Sequence, residues 1–147
     1  MRIAVGFDHA GTPLRDSVIE TLRSGGHEPD DLGTCDDYPD IAVRVCAAVV
    51  EGSHERAVIV CGSGAGVAVA ANKFHGIRAT IAHDTYTGAQ CVSHDDCNVI
   101  CLGARVVGSA YAADIVAAFA AASFSGEERH VRRLAKVSEI ERNGGAP

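Results

Sequence analysis

Short apolar runs alternate along the chain with segments whose apolar residues recur every three or four positions. Arg2–Phe7 (RIAVGF) is an apolar run ending at Asp8-His9-Ala10-Gly11, the pattern of a strand entering a loop. Thr12–Ser24 carries Leu14, Val18, Ile19 and Leu22 at helical spacing, and Gly25-Gly26 stops it. His27–Leu32 is a weak second strand. Tyr38-Pro39 opens a helix in which Ile41, Val45, Ala48 and Val49 share a face, ended near Gly52. Ala57–Cys61 (AVIVC) is too short for a helix and rich in β-branched residues, so it reads as a third strand. It runs into Gly62-Ser63-Gly64-Ala65-Gly66 and then an alanine-rich helix to about Phe74. Ile77–Ala82 makes a fourth strand, Asp84–Ser93 a helix with a capping aspartate, and Asn98–Leu102 a fifth strand ending at Gly103. Helices over Ala110–Ala122 and Val131–Asn143 follow.

Alternation of strand and helix predicts an α/β fold: a five-stranded parallel sheet covered on both faces, three layers in one domain. That domain spans residues 1–143, with 144–147 as a frayed, flexible tail. Ligands of such sheets collect at the carboxyl ends of the strands. The loops of interest are therefore Asp8–Gly11, Cys61–Gly66, His83-Asp84 and Gly103–Arg105.

Composition narrows the chemistry. A formal charge of −6 argues against general nucleic-acid or membrane binding, because both surfaces are anionic. The basic residues are unevenly placed, however, and Arg129, Arg132, Arg133, Lys136 and Arg142 crowd the last helix. A basic tail on an acidic chain is a candidate site for a small anion. No apolar run approaches the roughly 18 residues that span a bilayer, and the start MRIAVGFDHAG has no signal-peptide pattern. Six cysteines without an export signal read as reduced thiols, which predicts a cytoplasmic protein.

The segment from Cys61 to Gly66 is the most informative. A strand delivers a thiol to a glycine-rich turn whose amides open a helix, an arrangement that holds anions and favours a thiolate. It lacks the Gly-Lys-Ser/Thr of a P-loop and the spacing of a dinucleotide fingerprint. A buried structural cysteine before a tight turn is the alternative. Asp8-His9 is either a proton-handling pair or a helix cap beside a packing histidine, and His94-Asp95-Asp96 carries the same ambiguity. Asp8, Cys61 and His94 are expected near strand ends on one edge of the sheet. Cys91, His94, Cys97 and Cys101 are close enough to suggest zinc, but they lack a CxxC knuckle, and Cys101 belongs inside a strand. Arg129 and Arg133, four residues apart, share a helix face and suit a phosphate, or else pair with Glu127 and Glu128 at a solvated surface.

Taken together, these residues resemble the ribose-5-phosphate isomerase B family, which includes the galactose-6-phosphate isomerase subunits. The resemblance runs from Asp8-His9-Ala10-Gly11 to Arg133. Its most specific stretch is Cys61-Gly62-Ser63-Gly64, with Ala70-Ala71-Asn72-Lys73 and Gly76-Ile77-Arg78-Ala79. Gly33-Thr34, Asp37-Tyr38-Pro39 and Gly103-Ala104-Arg105-Val106-Val107-Gly108 add to it.

The resemblance implies a Rossmann-like sheet and a homodimer, often paired into tetramers, with active sites at the dimer interface. It implies isomerisation of ribose 5-phosphate to ribulose 5-phosphate through an enediolate, without metal or organic cofactor. Cys61 matches the residue that carries the proton between C2 and C1. Members lacking that cysteine have a glutamate six positions later, where this chain has Val67. Ser63 and the amides of the loop containing Gly62, Gly64 and Gly66 match the group that stabilises the enediolate. Asp8 and His94 match residues associated with ring opening. His9, Arg105, Arg129 and Arg133 match phosphate contacts, some from the partner subunit, and Tyr38 and Asn72 match residues lining the site. Asp95 stands where the family has asparagine, and an ionised carboxylate can only accept hydrogen bonds. That departure admits other substrates: a hexose 6-phosphate such as galactose or allose 6-phosphate, or a tetrose phosphate. A sugar-phosphate-binding module without activity would use the same loop and arginines, with Cys61 as packing.

Overall fold

The computed structural model describes residues 1–145, so residues 146 and 147 of the expected tail lie outside the described residues. Strand β1 (Arg2–Asp8) leads through a 3-10 turn (Thr12–Leu14) into α1 (Arg15–Ser24). There follow β2 (Glu28–Cys35), α2 (Tyr38–Val50), β3 (Arg56–Cys61) and α3 (Ala65–Ala71). The remainder is β4 (Ala79–Ile81), α4 (Thr85–Asp95), β5 (Val99–Gly103), α5 (Ser109–Ala121) and α6 (Glu128–Arg142). The five strands are parallel, in the order β2-β1-β3-β5-β4.

Side chains of a strand alternate between faces, so a sheet covered on both sides needs apolar residues at nearly every position. Ile3, Val5, Phe7, Val58, Val60, Ile100 and Leu102 point to one face, where they pack under α1, α4 and α5. Ala4, Ala57, Ile59, Cys61, Val99 and Cys101 point to the other, under α2 and α3. This is the three-layer, Rossmann-like, single-domain architecture expected from the alternation of elements. No helix among the described residues is long and apolar enough to cross a membrane.

The departures from expectation have local causes. β2 runs to Cys35 although its sequence, EPDDLGTC, is polar. It is an edge strand, where Pro29 need not donate to a neighbour, and a register shift opposite Gly6 accommodates Gly33 at φ +90°. Asp30 and Asp31 there meet Arg2, His54 and Arg15. α3 stops at Ala71 rather than near Phe74 because Asn72 turns its amide onto the backbone: Nδ2 donates to Ala68 O (3.0 Å) and Ala79 O (2.8 Å), and Oδ1 accepts from Ala79 N (2.9 Å). Asp84 caps α4 as expected, accepting from the Thr87 amide at 2.7 Å. These bonds hold its carboxyl below the usual range. α6 stands apart from the sheet, and His130 is its one fully buried residue.

Candidate active site

The strand order reverses between β1 and β3, since β2 lies on one side of β1 and all later strands on the other. Loops diverge at such a switch point and leave a crevice at the carboxyl ends of the two strands. A cleft of about 350 Å³ opens there, lined by Asp8, His9, Tyr38, Cys61, Ser63 and Arg105 with their neighbours.

Each of these side chains is placed by its loop. Asp8 is buried, and its Oδ1 accepts from the amides of Ala10 (2.9 Å) and Gly11 (2.8 Å), which shapes the turn after β1. His9 donates Nδ1–H to the carbonyl of Asp36 at 2.9 Å, because a carbonyl can only accept, so Nε2 is the ring nitrogen left for other partners. Cys61 ends β3 at 4% exposure, and its sulfur accepts from the amide of Gly64 at 3.0 Å. Such a bond strengthens when the acceptor is negative. Gly64 sits at φ +82°, and a Cβ there would lie 3.2 Å from Leu102 C, so both conformation and space require glycine. The Ser63 hydroxyl accepts from the Ala65 amide at 3.3 Å. The ring of Tyr38 lies against Gly66, its Cε2 3.0 Å from where a Cβ would stand. The Arg105 side chain drapes over Gly62 from the loop after β5, held by its amide donating to Gly62 O at 3.0 Å. Arg105 makes no ion pair among the described residues.

The remaining candidates lie elsewhere. His94 and Asp95 occupy the last turn of α4, which runs back against the strands and so ends beside the amino ends of β4 and β5. The expected shared edge for Asp8, Cys61 and His94 is therefore corrected: within one chain His94 is a strand's length from Cys61, on the order of 15 Å. Residues that precede a strand and residues that follow one reach opposite edges of a parallel sheet. Asn72 is likewise outside the Cys61 cleft, with its amide committed to backbone. Arg129 pairs with Glu127 at 2.9 Å on the exposed first turn of α6. Arg133 and Asp95 instead border a larger groove of about 710 Å³ along α6. The four suggested zinc ligands do not converge: Cys91 and Cys97 lie in the core on one face of the sheet and Cys101 on the other.

Burial pushes the Cys46 thiol up to about 11 and raises that of Cys101, while a hydrogen bond with Cys91 raises Cys97. Cys61 is the cysteine that lines the cleft.

The sequence reading passed over one residue. The His94 ring stacks on that of His130, with centroids 4.1 Å apart and planes tilted by 30°. His130 is 1% exposed, its Nδ1 lies 2.7 Å from Ser125 Oγ, and its Nε2 has no partner among the described residues. Burial first, then His94 and Arg129, push its pKa down. The clue in the sequence was a histidine set among the basic residues of an otherwise solvated helix.

The model of the ribose/galactose isomerase family matches residues 3–137. Ribose-5-phosphate isomerase B of Escherichia coli is 38% identical over 144 residues, covering 95% of this chain and 96% of that protein. D-erythrulose-4-phosphate isomerase of Pectobacterium atrosepticum is 36% identical over 131 residues, covering 86% of each. Among solved structures, ribose-5-phosphate isomerase B of Mycoplasma genitalium with bound ribulose-5-phosphate superposes with a TM-score of 0.89. It is 35% identical and covers 96% of both chains.

Proposed function

The chain belongs to the ribose/galactose isomerase family and is a sugar-phosphate isomerase, and from that premise we propose that it interconverts ribose 5-phosphate and ribulose 5-phosphate with Cys61 as proton carrier. The observation that carries this reading is the Cys61 sulfur at the switch-point cleft, bonded to the Gly64 amide and flanked by Asp8, His9 and Arg105. The isomerase domain is taken as residues 1–143.

The chemistry is a 1,2-proton transfer on the open-chain aldose. The sulfur takes the proton from C2, the C–H electrons form the C1–C2 double bond, and O1 becomes the oxyanion of an enediolate. After the O2 proton moves to O1, the sulfur returns its proton to C1 and leaves the ketose. The base must lie beside the C1–C2 edge, where Cys61 serves. Donors must await the developing charge, and Ser63 with the loop amides is fixed in place before reaction. The phosphate supplies remote binding energy that orients the reacting carbons. Arg105 and the free nitrogen of His9 offer cationic and polar contacts for it in the cleft.

His94, Arg129 and Arg133 enter the same site only from a second copy of the chain, in a dimer that assembles each active site from both subunits. The support is the separation of these residues from Cys61 in one chain, together with exposed apolar side chains beside the cleft. Tyr38, Ile81 and Val106 are 44%, 36% and 55% exposed. In that site His94 and Asp8 open the sugar ring, and the phosphate takes Arg129 from Glu127.

A second substrate reading rests on Asp95, which is exposed on the last turn of α4 and accepts where an asparagine would donate. It favours a hydroxyl donor of a tetrose or hexose phosphate, and one relative carries the name of a tetrulose-phosphate isomerase.

Subunit mixing tests the proposal. Cys61→Ala and His94→Ala proteins, each impaired alone, are unfolded together, refolded and assayed for ketose formation from ribose 5-phosphate. A shared site makes each mixed dimer carry one intact site, restoring about a quarter of wild-type activity. Full activity of Cys61→Ala alone refutes the proton carrier. No recovery on mixing refutes the shared site, and turnover of erythrose 4-phosphate or a hexose 6-phosphate in preference to ribose 5-phosphate selects the second reading.

A further inference from the structure

We infer that His130 is a positioning residue whose buried ring supports His94 and ties α6, with Arg129 and Arg133, to the end of α4. This rests on the reading that those residues act on one sugar phosphate.

α6 needs such a tie. Val131, Val137 and Ile140 on it are half exposed, and His130 is the only side chain it fully buries. The contacts around that ring close a circuit between the two helices. The Ser125 amide donates to Ser93 O on α4 at 3.0 Å. The Ser125 hydroxyl meets His130 Nδ1 at 2.7 Å and also accepts from the Glu127 amide at 3.3 Å. The His130 ring then returns to α4 by stacking on His94.

An imidazole is a costly way to fill this space with apolar area alone. Its Nε2 is buried without a partner, a penalty that a phenylalanine would not carry. The ring earns its place through the Ser125 bond and the flat face it offers to His94. It also offers that face uncharged: one hydrogen bond and near-complete burial leave no means of solvating an imidazolium. The groups facing it are His94 from α4, Arg129 and Arg133 from α6, and Glu127 at the start of α6. Three of those four favour the neutral ring. A neutral support keeps a fixed positive charge from standing 4.1 Å from the His94 ring.

The consequence for catalysis is register. Ring opening and phosphate binding act on opposite ends of one small molecule, so the spacing between His94 and the arginines must hold to a fraction of an ångström. His130 touches the His94 ring and is flanked in the chain by Arg129 and Arg133.

The test compares His130→Phe, which keeps a ring and loses the Ser125 bond, with His130→Asn, which keeps a polar nitrogen near Nδ1 and loses the ring. Both are made in the full-length protein and assayed on the aldose phosphate that the unmodified protein turns over fastest. The asparagine variant is expected to lose roughly tenfold or more in kcat/KM, carried by kcat. Inhibition by inorganic phosphate should weaken less than about threefold, since both arginines remain. The phenylalanine variant should recover kcat/KM to within about threefold of the unmodified protein. The His94 ring protons, read by NMR, should lose their ring-current shift in the asparagine variant and keep it in the phenylalanine variant.

Unchanged kcat/KM in the asparagine variant, or equal losses in both, overturns the inference. If either variant fails to fold, His130→Leu, which fills the space without a flat ring, should lower kcat in the same direction as the asparagine variant, and no change in kcat there also overturns it. Should the unmodified protein turn over no aldose phosphate, the isomerase reading falls by itself. The His94 ring shifts in the asparagine variant then decide the positioning role.

Discussion

Gly103 closes β5 against the Cys61–Gly66 loop, and replacing it with alanine gives a direct measure of how tightly the fold sets the proposed site. A Cβ at Gly103 would lie 2.7 Å from Ser63 C and 2.8 Å from both Ser63 Cα and Ser63 O. These are backbone atoms, so no rotamer change relieves the overlap. Ser63 must retreat by about 0.7 Å to reach the 3.4 Å at which ordinary contact begins. β5 cannot yield instead, because Gly103 pairs with Cys61 in the sheet and its neighbours Cys101 and Leu102 are fully buried. The turn therefore moves outward into the cleft and carries the Ser63 hydroxyl and the Gly64 amide with it. Overpacking of this kind costs about 1–3 kcal/mol, which at this chain length lowers the melting temperature by roughly 3–10 °C. A misplacement of about 1 Å costs on the order of a hundredfold in rate, so kcat should fall by about ten- to a hundredfold. The assay is ultraviolet detection of ketose formation beside a thermal melt, with Gly108→Ala as control, since a Cβ at Gly108 meets nothing within 4 Å. Wild-type kcat/KM in a folded Gly103→Ala protein would refute the claim that the β5 terminus sets the loop.

Two further outcomes concern stability. Arg56 donates to the carbonyls of Phe119 (2.7 Å), Ala120 (3.3 Å) and Ala122 (2.8 Å), and its guanidinium lies over the Phe119 ring. Arg56→Met strips these partners from the end of α5 and should cost about 2–3 kcal/mol in urea unfolding while kcat stays unchanged. The second outcome follows from His27 and His130, both held below the ordinary value of 6.5, chiefly by burial. Their lowered values mean that the unfolded chain binds more protons as pH falls through 6.5, so stability is full above that value and declines below it. Urea midpoints should fall between about pH 7.5 and pH 5.5, and His130→Phe should flatten part of that decline; an equally steep decline in the variant would count against His130 as a source.

The legible part of this protein is what a single strand or helix can encode alone. Apolar runs such as AVIVC and NVICL, and the spacing of Ile41 and Val45, were enough to place strands and helices in chain order and to imply the layers, but not the order of strands across the sheet. The cleft was legible for the same reason. Asp8 and Cys61 end strands and Arg105 follows one, and parallel strands deliver their carboxyl ends to one edge. His94 was misplaced because it precedes a strand, and its four-residue distance from Asn98 says nothing about which edge it reaches until the direction of α4 is counted. Asn72 shows another limit, since the sequence displays an amide but not that both its ends are already bonded to backbone. His130 was passed over because the arginines around it read as a solvated face, and only the fold turns it inward. The separation of His94 from Cys61 bears on function as well as on prediction. With Cys61 as proton carrier at one edge of the sheet and His94 as ring-opening histidine at the other, as proposed above, one chain would hold no complete site of its own. On the proposed reading each site is completed by a second copy, so weakening the subunit contact should lower activity on dilution even with every catalytic side chain intact.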